Sequence, residues 1–318
     1  MQMVHVRAVS PPGLTDRIDQ ALTAHPCVFD LSVVRGAARR PDGDRIECDV
    51  LTGAVNEVLG SLRGTGLEEH GSITVELIEL AACRIAADAE TAQLGKLASA
   101  PWWADLDARI EAEARFLPSF YLLLVIAGLI AAIGIVSNSQ ILIVAAMVVG
   151  PEYGAITSVA QGIDQRVGRR VRRGLAALFS GFSAAIVASY LFSLLVRALD
   201  QQSRAFSLGL RPVSNLINTP TFLSFVVAVL AGIVGIVSLA EARTSALLGV
   251  FISVTTIPAA ADVGVSLAFR SRSEARGSLE QLLLNVAVLI LVGALSLRAQ
   301  RWIWRRIARR SRAAAGRR

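Results

Sequence analysis

Two carboxylates stand where carboxylates are costly. Glu152, in "MVVGPEYGAI", and Asp262, in "TTIPAAADVG", each follow a proline, Pro151 and Pro258, within stretches otherwise apolar enough to sit in lipid. An ionised side chain near the bilayer centre costs about 3 kcal/mol even on a lenient insertion scale, so such a residue usually pairs, binds or exchanges a proton. Proline lacks a backbone N–H and disrupts the helix around it, which leaves carbonyls that lipid cannot satisfy. That backbone must face protein or a wet cavity. Half-helix ends supply fixed partial charges, and unwound carbonyls with carboxylates supply oxygen ligands, a combination suited to a small cation or a proton. The competing reading is a carboxyl paired across helices, or placed near an interface, that serves assembly alone. Asn138 and Asn285 are placed to hydrogen-bond between helices. Glu152, Asp262, Pro151, Pro258, Asn138 and Asn285 are therefore the candidate ion- or substrate-binding residues.

Other chemistries find no foothold. Cys27, Cys48 and Cys83 form an odd set without CxxC or metal-ligand spacing and read as packing thiols in a reducing compartment. His5, His25 and His70 are scattered singly, so no metal site is expected. No Gly-rich phosphate loop, RNA-stacking aromatic motif or nucleophile–base pairing stands out, so neither an enzyme nor a cofactor or nucleic-acid binder is expected.

The elements that must position the two acids are membrane segments. A mean hydropathy of +0.55 over 318 residues is high for a water-soluble domain. Four uninterrupted runs, Ser119 to Val136 and those starting at Leu175, Phe222 and Leu282, are long enough to cross a hydrocarbon layer at about 1.5 Å per residue. Two more, Gln140 to Ala160 and Ser245 to Ala268, are interrupted at "GPEYG" and "TTIPAAAD". Both open on a short Ser-containing polar patch, run through small and branched residues, break at Pro, and lead to an arginine-bearing loop and another span. Two copies of span, broken segment, span make an inverted repeat, a plan common in secondary transporters. A cytoplasmic N-terminus places Arg166, Arg169, Arg170, Arg172, Arg173 and the basic tail inside; Arg270, Arg272 and Arg276 conflict. If the second broken segment instead re-enters, the tail falls outside. Glu241 and Arg243 read as a membrane-edge charge cluster.

Ahead of the spans, residues 1–80 alternate as strands and repeat as helices in the order β-α-β-β-α-β, a ferredoxin-like cytoplasmic domain. The N-terminus has no continuous apolar run of the kind a secretory signal carries, so this domain is expected to stay in the cytoplasm. Arg39 and Arg40 read as a solvated hairpin tip. Residues 81–117 form a helical connector in which Trp102 and Trp103 either lie along the headgroup layer or pack on the soluble domain. The fold class is thus α+β followed by an α-helical polytopic membrane domain, residues 118–297, of about six segments, two of them Pro-broken. A basic tail, residues 298–318, completes the chain and, with the Arg-rich loop, is expected to meet anionic lipid.

"SNSQILIVAAMVVGPEYGAI", "ARTSALLGVFISVTTIPAAADVGVSLA" and "QLLLNVAVLILVGALSL", in that order, resemble the bacterial membrane family catalogued as domain of unknown function 389. The resemblance covers about residues 119 to 297 and implies a polytopic inner-membrane protein without assigning catalytic or binding residues. Asp262 stands where many relatives are expected to carry Asn. The resulting expectation is a permease for a small ion or polar solute, homo-oligomeric, with a cytoplasmic domain that senses a ligand or sets the oligomeric state. The rival is a non-transporting membrane scaffold or ligand sensor.

Overall fold

Alternation makes the first element. In β1 (Met3–Ser10), Val4, Val6 and Ala8 point to one face and are buried, while His5 and Arg7 point to the other. The computed structural model describes residues 2–78, 81, 83–94, 97–98, 100–209, 211–240 and 256–315, with side chains omitted at 93, 205 and 311–315. These divide into two compact units, Met1–Leu106 with Arg301–Arg318, and Asp107–Gln300.

In the first unit, α1 (Pro12–Thr23) starts on a proline, where a missing N–H costs nothing, and buries Thr15, Ile18 and Leu22 at helical spacing. β2 (Val28–Arg39) and β3 (Asp42–Leu51) pair as a hairpin, with register shifts in β2 between Phe29 and Ser32 and between Val34 and Ala38. After α2 (Val55–Gly64), which buries Val55, Val58, Leu59 and Leu62, and the one-turn α3 (Leu67–His70), β4 (Ser72–Ile78) closes the sheet. The strand order is β2-β3-β1-β4 and every pair is antiparallel, with Val6 opposite Cys48 on one side and Val75 on the other. Burial raises the thiol pKa of Cys27, and that of Cys48 to about 12, so neither is a thiolate at neutral pH. Both side chains serve packing.

A short helix, α4 (Arg84–Ala89), runs on into a π-helical turn, Glu90–Leu94. Trp102 packs against the sheet's apolar core, and Asn56 secures the neighbouring backbone by donating to the Pro101 carbonyl (2.9 Å) and accepting from Trp103 N–H (3.1 Å). Of the two readings of these tryptophans, packing on the sheet domain describes Trp102. The residues at 79–80 and 95–96, expected at the end of the last strand and in the connector, lie outside the described residues.

The second unit is helical. α5 (Trp103–Glu113) leads into α6 (Pro118–Val136), again begun by proline. α6 turns through Asn138 into α7 (Gln140–Val149), whose N-terminus is capped by the Ser139 hydroxyl. α8 (Glu152–Asp164) follows the Gly150–Pro151 break at an angle of 54° to α7. Next come α9 (Gly168–Ala198), the short α10 (Arg204–Ser207) and α11 (Pro212–Asn218), then α12 (Phe222–Ala240), α13 (Ile257–Ala268) and α14 (Arg272–Ala315). α6, α9, α12 and α14 are long and apolar enough to cross a membrane, and α7 with α8 makes a fifth span if the bent pair is taken as one.

Small residues let these helices approach. Ala127, Gly128 and Ala131 of α6, Gly181 and Ala185 of α9, and Ala259, Ala260 and Ala261 of α13 are buried where the three pack pairwise. At Gly264 a Cβ would overlap the Ile186 carbonyl and the Tyr190 amide of α9, so α13 meets α9 backbone to backbone. Large apolar side chains instead face outward, among them Leu122, Phe179, Leu191, Phe222, Leu223 and Leu291. Several long helices that bury small residues and expose large apolar ones fit a membrane protein.

Of the two segments expected to be broken, the first is broken at Gly150–Pro151 as the sequence implies. The second is described only from Thr256 onward, where Pro258 is the second residue of α13; residues 245–255, with Glu241 and Arg243, lie outside the described residues.

Candidate functional site

Pro151 occupies the cap position before α8, and Glu152 is the first residue of that helix. A carboxylate there faces the positive end of the helix dipole and the first unbonded amides. Glu152 is fully buried, and its Oε1 accepts a hydrogen bond from Thr256 Oγ1 at 2.8 Å. Thr256 is the cap residue of α13. The N-terminal ends of two helices, each marked by a proline, therefore meet at one carboxylate. One residue on, Tyr153 donates from its hydroxyl to the Gly235 carbonyl of α12 at 2.8 Å, which ties α8 to a third helix. Beneath that bond a small apolar cavity, about 10 Å³, is lined by Ile156, Ala160, Gly232 and Leu289 among others.

Asp262 lies six residues beyond Thr256 on α13, about 9 Å along the axis at the rise of an α-helix. It too is fully buried. Oδ1 accepts from Ser214 Oγ of α11 at 2.8 Å, and Oδ2 from Ser278 Oγ of α14 at 2.5 Å. Proline starts α11 at Pro212, and the four-residue spacing puts Asn218 beside Ser214, to which its amide donates at 3.5 Å. Arg211 and Glu274 form an ion pair (2.7 Å) within electrostatic range of Asp262, with the Arg211 guanidinium 4.4 Å from the Phe206 ring centre.

The expected site is thus two polar clusters strung along α13. Glu152 and Asp262 are held by different partners, one cluster at the end of the helix and one within it. Asp262 is in the interior of the unit. Pro151 is next to Glu152, and Pro258 is two residues beyond Thr256. Asn138 sits in the three-residue turn between α6 and α7 with φ +54°, a left-handed conformation that Asn tolerates better than most residues. Asn285 is buried on α14, seven residues past Ser278, and accepts from Gln281 Nε2 at 3.1 Å.

Thr256, Ser214 and Ser278 carry the site and were not singled out in the sequence. Thr256 could have been noticed beside Pro258 in "TTIP", since Thr before a proline-started helix is a cap signal. Ser214 and Ser278 carry no local signal, because they reach Asp262 only through packing of distant segments.

Residues 147–291 match the family model described as domain of unknown function (DUF389). By this segment, just under half of its length, the chain is similar to the DUF389 family. No curated protein and no solved structure matches it. The DUF389 segment begins in the last turn of α7 and ends within α14, so it takes in both acids, all three hydroxyl partners, both prolines and Asn285. Asn138 and the four-stranded sheet lie outside it.

Proposed function

We propose that this protein is a permease for a small ion or polar solute, in which Glu152 and Asp262 exchange protons as the solute moves. One observation carries the reading: both oxygens of Asp262 are bonded by hydroxyls. A hydroxyl can donate to a carboxylate and, after rotating, accept from a carboxylic acid, so Asp262 can gain or lose a proton without stranding a buried polar group. An arginine partner would instead favour the charged form. The Thr256 hydroxyl gives Glu152 the same freedom on Oε1. The bend at Gly150–Pro151 and the proline start of α13 put non-helical backbone beside these acids, as in discontinuous transporter helices.

On this reading the segments on either side form an inverted repeat. The sheet domain, whose strand order suits a ferredoxin-like fold, lies with the basic tail on the cytoplasmic face of a bacterial inner membrane. The permease works as a homo-oligomer and carries out no covalent chemistry. A second reading, a non-transporting ligand sensor, is favoured by a cavity of about 560 Å³ in the first unit, lined by Trp103, Trp304, Arg305, Asn56 and Glu57 among others. Its size suits a small organic ligand. One experiment separates the two. Purified protein in liposomes should show flux for members of a panel of ions and polar solutes, and Glu152→Gln should abolish it while leaving the folded fraction unchanged. Flux that Glu152→Gln leaves intact removes the mechanism, and no flux at all favours the sensor.

A further inference from the structure

A second cavity, in the helical unit, is lined by four arginines. Arg115 precedes α6, and Arg169, Arg170 and Arg173 lie in the first turns of α9; with Glu111, Phe116, Ser158 and Val167 they enclose about 300 Å³. Four guanidinium groups face one carboxylate, and that carboxylate is a poor counter-ion, since Glu111 is 71% exposed and 3.4 Å from Arg170. Among the described residues, Arg115, Arg169 and Arg173 form no ion pair. Arg170 is held in place. It bonds Gln161, which in turn donates to Asp107 at 2.5 Å, and Gln165 joins the same Asp107 oxygen at 3.1 Å. The start of a 31-residue helix adds its partial positive charge on the same wall.

We infer that this cavity is a binding site for a phosphate-bearing anion. Guanidinium groups match phosphate oxygens through paired hydrogen bonds, and a preorganised Arg170 saves part of the ordering cost. The location points to a phospholipid headgroup as the source. Phe116 and Leu117 immediately precede the apolar run of α6, and Leu175 and Phe179, both exposed, follow Arg173 on α9. A phosphate among the arginines would sit at headgroup level, with apolar side chains below to meet its acyl chains.

Native mass spectrometry of the detergent-purified full chain tests this, with phosphatidylglycerol, phosphatidylcholine and inorganic phosphate as probes. Phosphatidylglycerol should remain bound, and an Arg169→Gln/Arg173→Gln variant should bind it about twenty-fivefold more weakly, on the basis of about fivefold per arginine. The control Arg39→Gln/Arg40→Gln, at the exposed tip of the β2–β3 hairpin, should leave binding unchanged. Retention of phosphatidylglycerol against excess inorganic phosphate assigns the site to a lipid headgroup, while displacement assigns it to a soluble phosphate. Equal binding by the pocket variant and the unmodified chain, or equal losses in pocket and hairpin variants, overturns the proposal. Arg115→Gln, a single change that leaves the α9 turns intact, should weaken phosphatidylglycerol binding about fivefold, and binding unchanged in both this variant and the double variant overturns the proposal.

Discussion

Asp44 in the sheet domain and Asp262 in the helical unit are both buried and both receive two hydrogen bonds, yet their partners differ in kind. Asp44 Oδ2 accepts from Thr15 Oγ1 and Oδ1 from the Gly36 backbone N–H, each at 2.7 Å. A backbone N–H only donates, so it rewards the carboxylate and penalises the acid. These bonds, the Thr15 hydroxyl first and the Gly36 amide second, hold the Asp44 carboxyl below the ordinary carboxylate range. Asp262 has hydroxyls on both sides and, among the described residues, no fixed donor. The first arrangement locks a charge as a structural strut, and the second leaves the protonation state free to change. Burial alone therefore does not distinguish an acid held as a charge from one whose proton can move; the chemistry of its partners does.

The largest effect is expected where the comparison is broken outright. Asp262→Leu fills the space but strips the acceptor from both Ser214 and Ser278, and a stranded buried hydroxyl costs about 1–3 kcal/mol, so the loss should be about 2–6 kcal/mol. Thermal unfolding in detergent measures it. Asp262→Asn should recover most of that stability, because an amide presents an acceptor to one serine and a donor to the other. A leucine variant as stable as the unmodified chain would show that the hydroxyls have other partners. At Asp44 the effect is confined to acid. Its folded pKa lies below the unfolded value of about 4, so its contribution to stability is fully present above that value and is lost as pH falls through the folded pKa. Acid titration of the full chain, followed by sheet circular dichroism, should show a limb below about pH 4 that Asp44→Asn flattens. A limb unchanged by Asp44→Asn would assign acid sensitivity to other carboxylates.

How far the sequence carries this picture depends on the range of the interaction. Strand alternation at Val4, Val6 and Ala8, and helical spacing at Val55, Val58, Leu59 and Leu62, are local, and the β-α-β-β-α-β order follows from them. The apolar runs of α6, α9, α12 and α14 and the break at Pro151 are equally local. Both acids stand out because a carboxylate in an apolar run is conspicuous. Their partners do not. Ser214 lies on a seven-residue helix with no long periodic pattern, and Ser278 in a polar turn of α14, so only the packing of segments 48 and 16 residues away brings them to Asp262. For the same reason the spacing of Thr256 and Asp262 along α13 is legible, but the neighbours that each meets are not. At Asn138 the residue type suits the backbone, which takes a left-handed turn that Asn tolerates.

Proton uptake by the reconstituted full chain is the most direct test of the central claim that the hydroxyl-bonded acids change protonation during transport. In liposomes loaded with a pH-sensitive dye, solute flux through the unmodified protein should be accompanied by proton movement. That movement should be lost in Glu152→Gln and in Asp262→Asn and retained in Asp44→Asn. Proton movement that persists in the first two variants, or solute flux with none in any of them, would contradict it.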